Sequence, residues 1–249
     1  MIMMTRLIVL AALVGTGSCA ASTSRYPDAA KGFQLKSLLY DGKQTNYSIY
    51  VPPTYDPAKP TPTIIYMHGA GECGTDGIKP TKLGIGVAVA RDPAAWPFIV
   101  VFPQLYAAST TWIANDALVM AILGKTRREL NVDRSRIYLT GASKGGNGTW
   151  AIAANHPDLF AAIAPVCGAA SDEATAKRLV KMPIWLFHGE KDTAVPVAKA
   201  RKSIEWLAAN GGSCKATIYP DLGHQVWDRA YQDEKLNEWF LQHQRTIEY

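Results

Sequence analysis

Apolar positions along this chain fall into short runs of two kinds. Residues 63–68, 98–102, 136–140, 161–166, 184–187 and 216–219 are β-rich and lack polar alternation, as strands covered on both faces do. Between them, 116–130, 144–155, 173–180, 197–210 and 229–243 carry apolar residues at helical spacing. Ahead of both, 33–39 and 45–51 read as a hairpin closed by Tyr40, Asp41, Gly42 and Lys43, because Asp-Gly favours chain reversal. The alternation predicts an α/β fold: a mostly parallel central sheet with helices on both faces. In such a sheet the reactive groups belong on loops beyond the carboxyl ends of the strands. The interval between the run ending near Cys167 and the one starting at Ile184 is too short for a large cap, so the site should be open from above. The Gly- and Pro-rich segment 74–96 reads as the one substantial insertion near that site.

The extreme N-terminus departs from this pattern. Arg6 precedes an unbroken apolar run from Leu7 to Val14 and then small residues to Ala21, the layout of a secretory leader and too short to span a bilayer. The expected division is a signal peptide at 1–20 and one catalytic domain at 21–249, placing the product outside the cytoplasm with no transmembrane helix in the mature chain. Lipid attachment at Cys19 is the alternative, weakened by the poor lipobox Thr16-Gly17-Ser18. Loss of Arg6 with the leader lowers the formal charge of +5 by one, and the remaining Lys and Arg form no stripe. A nucleic-acid partner is therefore not implied. Outside the leader Cys73, Cys167 and Cys214 remain, an odd number that cannot complete a disulfide framework, and no pairing among them is specified. No metal-ligand spacing or phosphate-binding Gly-rich loop appears, so no metal or cofactor is expected.

Chemistry enters with Gly141-Ala142-Ser143-Lys144-Gly145, which lies between a strand-like and a helix-like run. In that context the pattern describes a nucleophile elbow: a serine lifted on a tight strand-to-helix turn, flanked by glycines where a Cβ would strike neighbouring backbone. Ser143 is the candidate nucleophile. A serine nucleophile needs a base and an acid that holds the base, each from a separate loop. After the run at 184–187, the segment His188-Gly189-Glu190-Lys191-Asp192 offers Asp192 as the acid, followed by the rigid Val195-Pro196 exit. Glu190, Asp172 and Asp221 compete with it and read equally well as solvated loop carboxylates. Among five histidines, His156 and His243 read as surface residues, while His68 and His188, each before a glycine at a strand end, read as structural hydrogen-bonders. His224, on a glycine-preceded loop after the last strand, is the candidate base.

His68-Gly69-Ala70-Gly71 follows the first of the parallel runs, and its small residues allow backbone N–H groups to turn inward. The expected oxyanion hole combines the N–H of Ala70 or Gly71 with that of Lys144. Glu72 and Cys73 come next and would line the rim or contact a leaving group. Trp112 and Trp227 lie near site loops and are candidate pocket walls; Trp150, Trp185, Trp206 and Trp239 fall in predicted elements and read as core.

Taken jointly, His68-Gly69-Ala70-Gly71-Glu72, Phe102-Pro103-Gln104, the elbow continuing to Trp150, Ala164-Pro165-Val166-Cys167-Gly168, His188-Gly189-Glu190-Lys191-Asp192 and Gly223-His224-Gln225-Val226-Trp227 resemble the α/β-hydrolase superfamily. Within it the chain is similar to secreted esterases grouped with predicted peptidases, phospholipase/carboxylesterases and feruloyl or acetylxylan esterases, over about residues 47–241. The resemblance implies Ser143, Asp192 and His224 as a triad, Ala70 and Lys144 as oxyanion donors, no cofactor, and a small-molecule or polymer-linked ester as substrate. The expected activity is that of a secreted serine carboxylesterase, with a serine peptidase or a non-catalytic binding protein of the same fold as the alternatives. Lys144 and Asn147 stand where relatives often carry Met and Tyr. Their polarity leaves open whether a cation beside the site selects anionic or sugar-linked substrates or simply points to solvent.

Overall fold

The structure, a computed structural model, describes residues 24–246. The leader and Cys19 lie outside the described residues. Eight strands form one sheet: β1 (Gly32–Tyr40), β2 (Lys43–Val51), β3 (Thr61–Met67), β4 (Ile99–Phe102), β5 (Val132–Ala142), β6 (Ala162–Val166), β7 (Trp185–Gly189) and β8 (Lys215–Tyr219), in the order β1-β2-β4-β3-β5-β6-β7-β8. The β1–β2 hairpin turns at Asp41 and Gly42, both at positive φ, and β2 joins β4 antiparallel; from β4 to β8 every neighbour is parallel.

The helices are α1 (Ile85–Arg91), α2 (Asp116–Glu129), α3 (Lys144–Asn155), α4 (Glu173–Lys177), α5 (Val197–Ala209), α6 (Trp227–Gln232) and α7 (Leu236–Leu241). The chain steps from β3 outward to β4, then returns across β3 to β5 and proceeds the other way. Right-handed crossovers on opposite sides of β3 must put their helices on opposite faces of the sheet. The two cores show this division. Ile65, Met67 and Leu139 point into one with Val119, Ile122, Trp150, Ala176 and Leu207 of α2 to α5. Ile64, Tyr66 and Tyr138 point into the other with Ile85, Val89, Tyr231, Leu236 and Phe240 of α1, α6 and α7. Reversal of strand order at β3 opens a crevice between the carboxyl ends of β3 and β5, where such sheets bind ligands.

Two elements differ from the sequence reading. Segment 74–96, read as an insertion with no element of its own assigned, contains a 3-10 turn, Lys79–Lys82, and α1, whose Ile85, Ala88 and Val89 are buried. Gly84 before α1 and Pro80 inside the turn conceal this short apolar stripe from a periodicity argument. The last helical pattern is two helices, separated at Lys235 in the left-handed conformation, so that Leu236 and Phe240 can enter the core at a new angle. Between β6 and β7 only α4 intervenes, so no cap covers the carboxyl ends. Among the described residues no helix is long and apolar enough to cross a membrane.

Candidate active site

The turn between β5 and α3 is built by steric exclusion. A Cβ on Gly145 would collide with the Met67 carbonyl oxygen, and one on Gly141 would lie 2.5 Å from that same oxygen, so only glycines let the elbow seat against β3. Ser143 is held at φ 58°, ψ −116°, a strained conformation for a residue with a side chain. Its N–H is anchored by Val166 O at 2.9 Å and by the Cys167 sulfur at 3.2 Å. Cys167 is fully buried, and burial pushes its thiol pKa far up, so it remains a protonated structural group.

Three side chains from three loops meet above this turn. His224 Nε2 lies 2.8 Å from Ser143 Oγ, and His224 Nδ1 lies 2.7 Å from Asp192 Oδ2. A carboxylate can only accept, so Nδ1 carries the hydrogen and the Nε2 lone pair faces the serine hydroxyl. The Asp192 carboxyl is sealed from solvent, and its Oδ1 accepts the N–H groups of Ala194 and Val195 at 2.9 Å each. Close approach of the two loops depends on Gly189, where a Cβ would strike Gly223 O and come within 2.6 Å of Leu222 O. The competing carboxylates are engaged elsewhere: Glu190 with Arg201, Asp172 at the N-terminus of α4, and Asp221 with Arg229. His156 pairs with Asp116, and His243 Nδ1 donates to Trp239 O.

The loop after β3 is set by His68. Its Nδ1–H donates to Gly69 O at 2.6 Å while its Nε2 accepts the Leu105 N–H at 3.0 Å. In a trans peptide the C=O and the following N–H point in opposite directions. Turning Gly69 O inward to the imidazole therefore turns the Ala70 N–H outward, on an exposed residue beside the serine. Across the crevice Lys144 opens α3, and the first N–H groups of a helix have no intrahelical acceptor. Gly71, next in the loop, is also exposed.

The remaining site candidates divide. Trp227 stands edge-on to His224, ring centroids 5.9 Å apart, and is half-buried. Trp112 is not a wall: it is 1 % exposed, packs on Gly148 and donates its indole N–H to His68 O at 3.0 Å, so it supports the β3 loop from beneath. Its position in a loop suggested exposure; the space that buries it comes from Gly148 on α3, a contact no local pattern reports. The Lys144 ammonium donates to Ala108 O and Thr110 O, so it ties down the 107–110 loop and does not face a substrate. Asn147 is exposed and accepts the Ala169 N–H at 2.9 Å. Glu72 is half-buried, with Oε2 against Gly69 and no hydrogen-bond partner. Cys73, Cys167 and Cys214 are free thiols. A cavity of about 460 Å³ against β1 and another of about 320 Å³ between α1 and α6 are lined by none of the three residues of the row, which lies in the open crevice.

A serine raised at a strand-to-helix turn of an eight-stranded, mostly parallel sheet with helices on both faces places this structure among the α/β-hydrolases. More narrowly, the chain belongs to the dienelactone hydrolase family, whose model matches residues 88–242. A solved thermostable esterase superposes with a TM-score of 0.78 at 31% identity, covering 86% of this chain and 63% of that one. An uncharacterized secreted protein of Arthroderma benhamiae is 31% identical over 77% of this chain and 25% of its own length. Feruloyl esterase B of Neurospora crassa is 29% identical over 66% of this chain and 54% of its own. The chain spans about half the length of these curated relatives or less.

Proposed function

We propose that this chain is an exported serine carboxylesterase acting through an acyl-enzyme. Ser143 attacks the ester carbonyl as His224 Nε2 takes its proton, and Asp192 holds the imidazolium in orientation. The N–H groups of Ala70 or Gly71 and of Lys144 hold the oxyanion; His224 then protonates the leaving alcohol and activates the water that releases the acid. The observation that carries this reading is the continuous Ser143–His224–Asp192 hydrogen-bonded row at 2.8 and 2.7 Å. An uncapped crevice suits an ester attached to a bulky or polymeric alcohol, such as feruloyl or acetyl groups on a polysaccharide, and one relative is named a feruloyl esterase. Ser143→Ala should lower turnover of nitrophenyl esters by about four orders of magnitude or more. Hydrolysis by that variant at the parent rate would refute the mechanism. Export rests on the leader at 1–20, and mass spectrometry of the mature N-terminus distinguishes cleavage after Ala20 from lipidation at Cys19 and from a retained leader.

A further inference from the structure

The aspartate of the row touches a second imidazole. His188, in β7, has a side chain as fully buried as that of Asp192. Its Nε2 lies 2.8 Å from Val195 O and 3.2 Å from Asp192 Oδ2. Val195 O can only accept, so Nε2 carries a hydrogen and directs it there, with Asp192 Oδ2 close to the same nitrogen but off the line of the bond. His188 Nδ1 is sealed from solvent with no partner, which fits the bare lone pair of a neutral ring. A second proton would sit on that sealed atom with no acceptor. Burial accordingly holds the ring below its usual pKa, against the pull of Asp192. The charged or titratable groups around it are Asp192, His224 and Arg201 of α5, the last paired with Glu190 at 2.6 Å.

These contacts close a ring. Val195 N–H caps Asp192 Oδ1, Val195 O receives the His188 hydrogen, and Asp192 Oδ2 lies 3.2 Å from the same His188 nitrogen. Oδ2 is hydrogen-bonded to His224 Nδ1, and the His188 N–H dipole lies beside it. We propose that His188 is a positioning residue: its Nε2–H holds the Val195 peptide whose N–H caps Asp192 Oδ1, which keeps the carboxylate in the plane where Oδ2 meets His224 Nδ1, and its dipole beside Oδ2 moderates the carboxylate's basicity. This rests on the reading that Ser143, His224 and Asp192 perform the chemistry. Without the donor, the Val195 peptide and the Asp192 carboxylate are freer to rotate and Oδ2 loses the neighbouring dipole, so fewer imidazoles are aligned and Asp192 binds the His224 proton more tightly.

The test compares His188→Leu, which removes the donor, with His188→Gln, whose amide can reach the same point. Active sites are counted by fluorophosphonate labelling of Ser143, so that misfolded protein does not enter the rate. For His188→Leu, kcat per labelled site should fall about ten- to a hundred-fold with KM within about two-fold, and the acid limb of kcat/KM should move to higher pH. His188→Gln should recover most of both. If His188→Leu does not accumulate, His188→Asn, too short to reach Val195 O, is read in the same way. A kcat per labelled site within two-fold of the parent, with an unmoved acid limb, would overturn the proposal. Absence of label and activity in the parent itself would instead overturn the catalytic row, and this inference with it.

Discussion

Acidification should act on this protein through His68. The ring is fully buried, and its two nitrogens are committed to opposite roles, one donating to Gly69 O and the other accepting from Leu105 N–H. Protonation would destroy the acceptor. Burial first, and the Lys144 charge after it, lower the pKa from 6.5 to about 4, while the bond to Gly69 opposes them. That gap corresponds to about 3 kcal/mol. The folded pKa is the lower one, so the unfolded chain binds this proton more readily. The contribution is therefore intact above pH 6.5, erodes as pH falls from 6.5 to about 4, and is fully lost below. His68→Asn keeps an amide N–H for Gly69 O and does not titrate, but leaves the Leu105 N–H without an acceptor, costing about 1–3 kcal/mol at pH 7. Urea unfolding of both proteins, followed by tryptophan fluorescence at pH 7, 5 and 4, isolates the effect because every other titrating group is shared. Between pH 7 and pH 4 the parent should lose about 3 kcal/mol relative to the variant, so that its advantage vanishes or changes sign. A difference that stays constant from pH 7 to pH 4 would refute the assignment of a neutral, load-carrying imidazole to this position.

Three further outcomes follow from named contacts. Gly189→Ala sets a methyl group against the carbonyls of Gly223 and Leu222; it should separate the loops bearing Asp192 and His224 and lower kcat about a hundred-fold or more, while a normal rate would show that the loops can part without penalty. Lys144→Met should leave the ratio of rates on anionic and neutral nitrophenyl esters unchanged, because the ammonium is engaged by Ala108 and Thr110; a several-fold change would put the cation in the substrate's path. Trp112→Phe should lower unfolding stability by about 1–3 kcal/mol through the lost bond to His68 O, with KM for aromatic esters unaltered, whereas Trp227→Ala should raise that KM; the reverse pattern would exchange their roles.

What could be read from the chain was what depends on local pattern. Strand runs buried on both faces announce themselves without alternation, and seven of the eight strands were expected within a few residues of where they lie, while the eighth, β5, extends further at its start. The elbow was legible because its glycines are required by backbone contact, a constraint carried by residue identity alone. Short amphipathic segments were not legible. α1 has only seven residues behind a glycine at φ 57°, and the break at Lys235 answers to packing of Trp239 and Phe240 against distant strands, which no local signal reports. Burial of Trp112 and the turning away of Lys144 depend likewise on partners far along the chain, Gly148 and His68 for one, Ala108 and Thr110 for the other.

Three histidines stand around this crevice, and environment rather than residue type separates them. His68 and His188 are sealed, their pKa values are depressed by burial, and each has its tautomer dictated by a carbonyl acceptor: Nδ1–H for the first, Nε2–H for the second. A ring that cannot take up a proton near neutral pH is unsuited to proton transfer but well suited to hold geometry, since its hydrogen bonds do not change sign with pH. His68 in this way turns the peptide beside Ala70, and His188 steadies the carboxylate of Asp192. His224 differs on both counts: its side chain is 23% exposed, and its free lone pair faces a hydroxyl rather than a fixed backbone group. The partly exposed imidazole is thus set beside two sealed ones in which burial disfavours a charge, so that in the proposed mechanism the charge of the transition state has a single place to form.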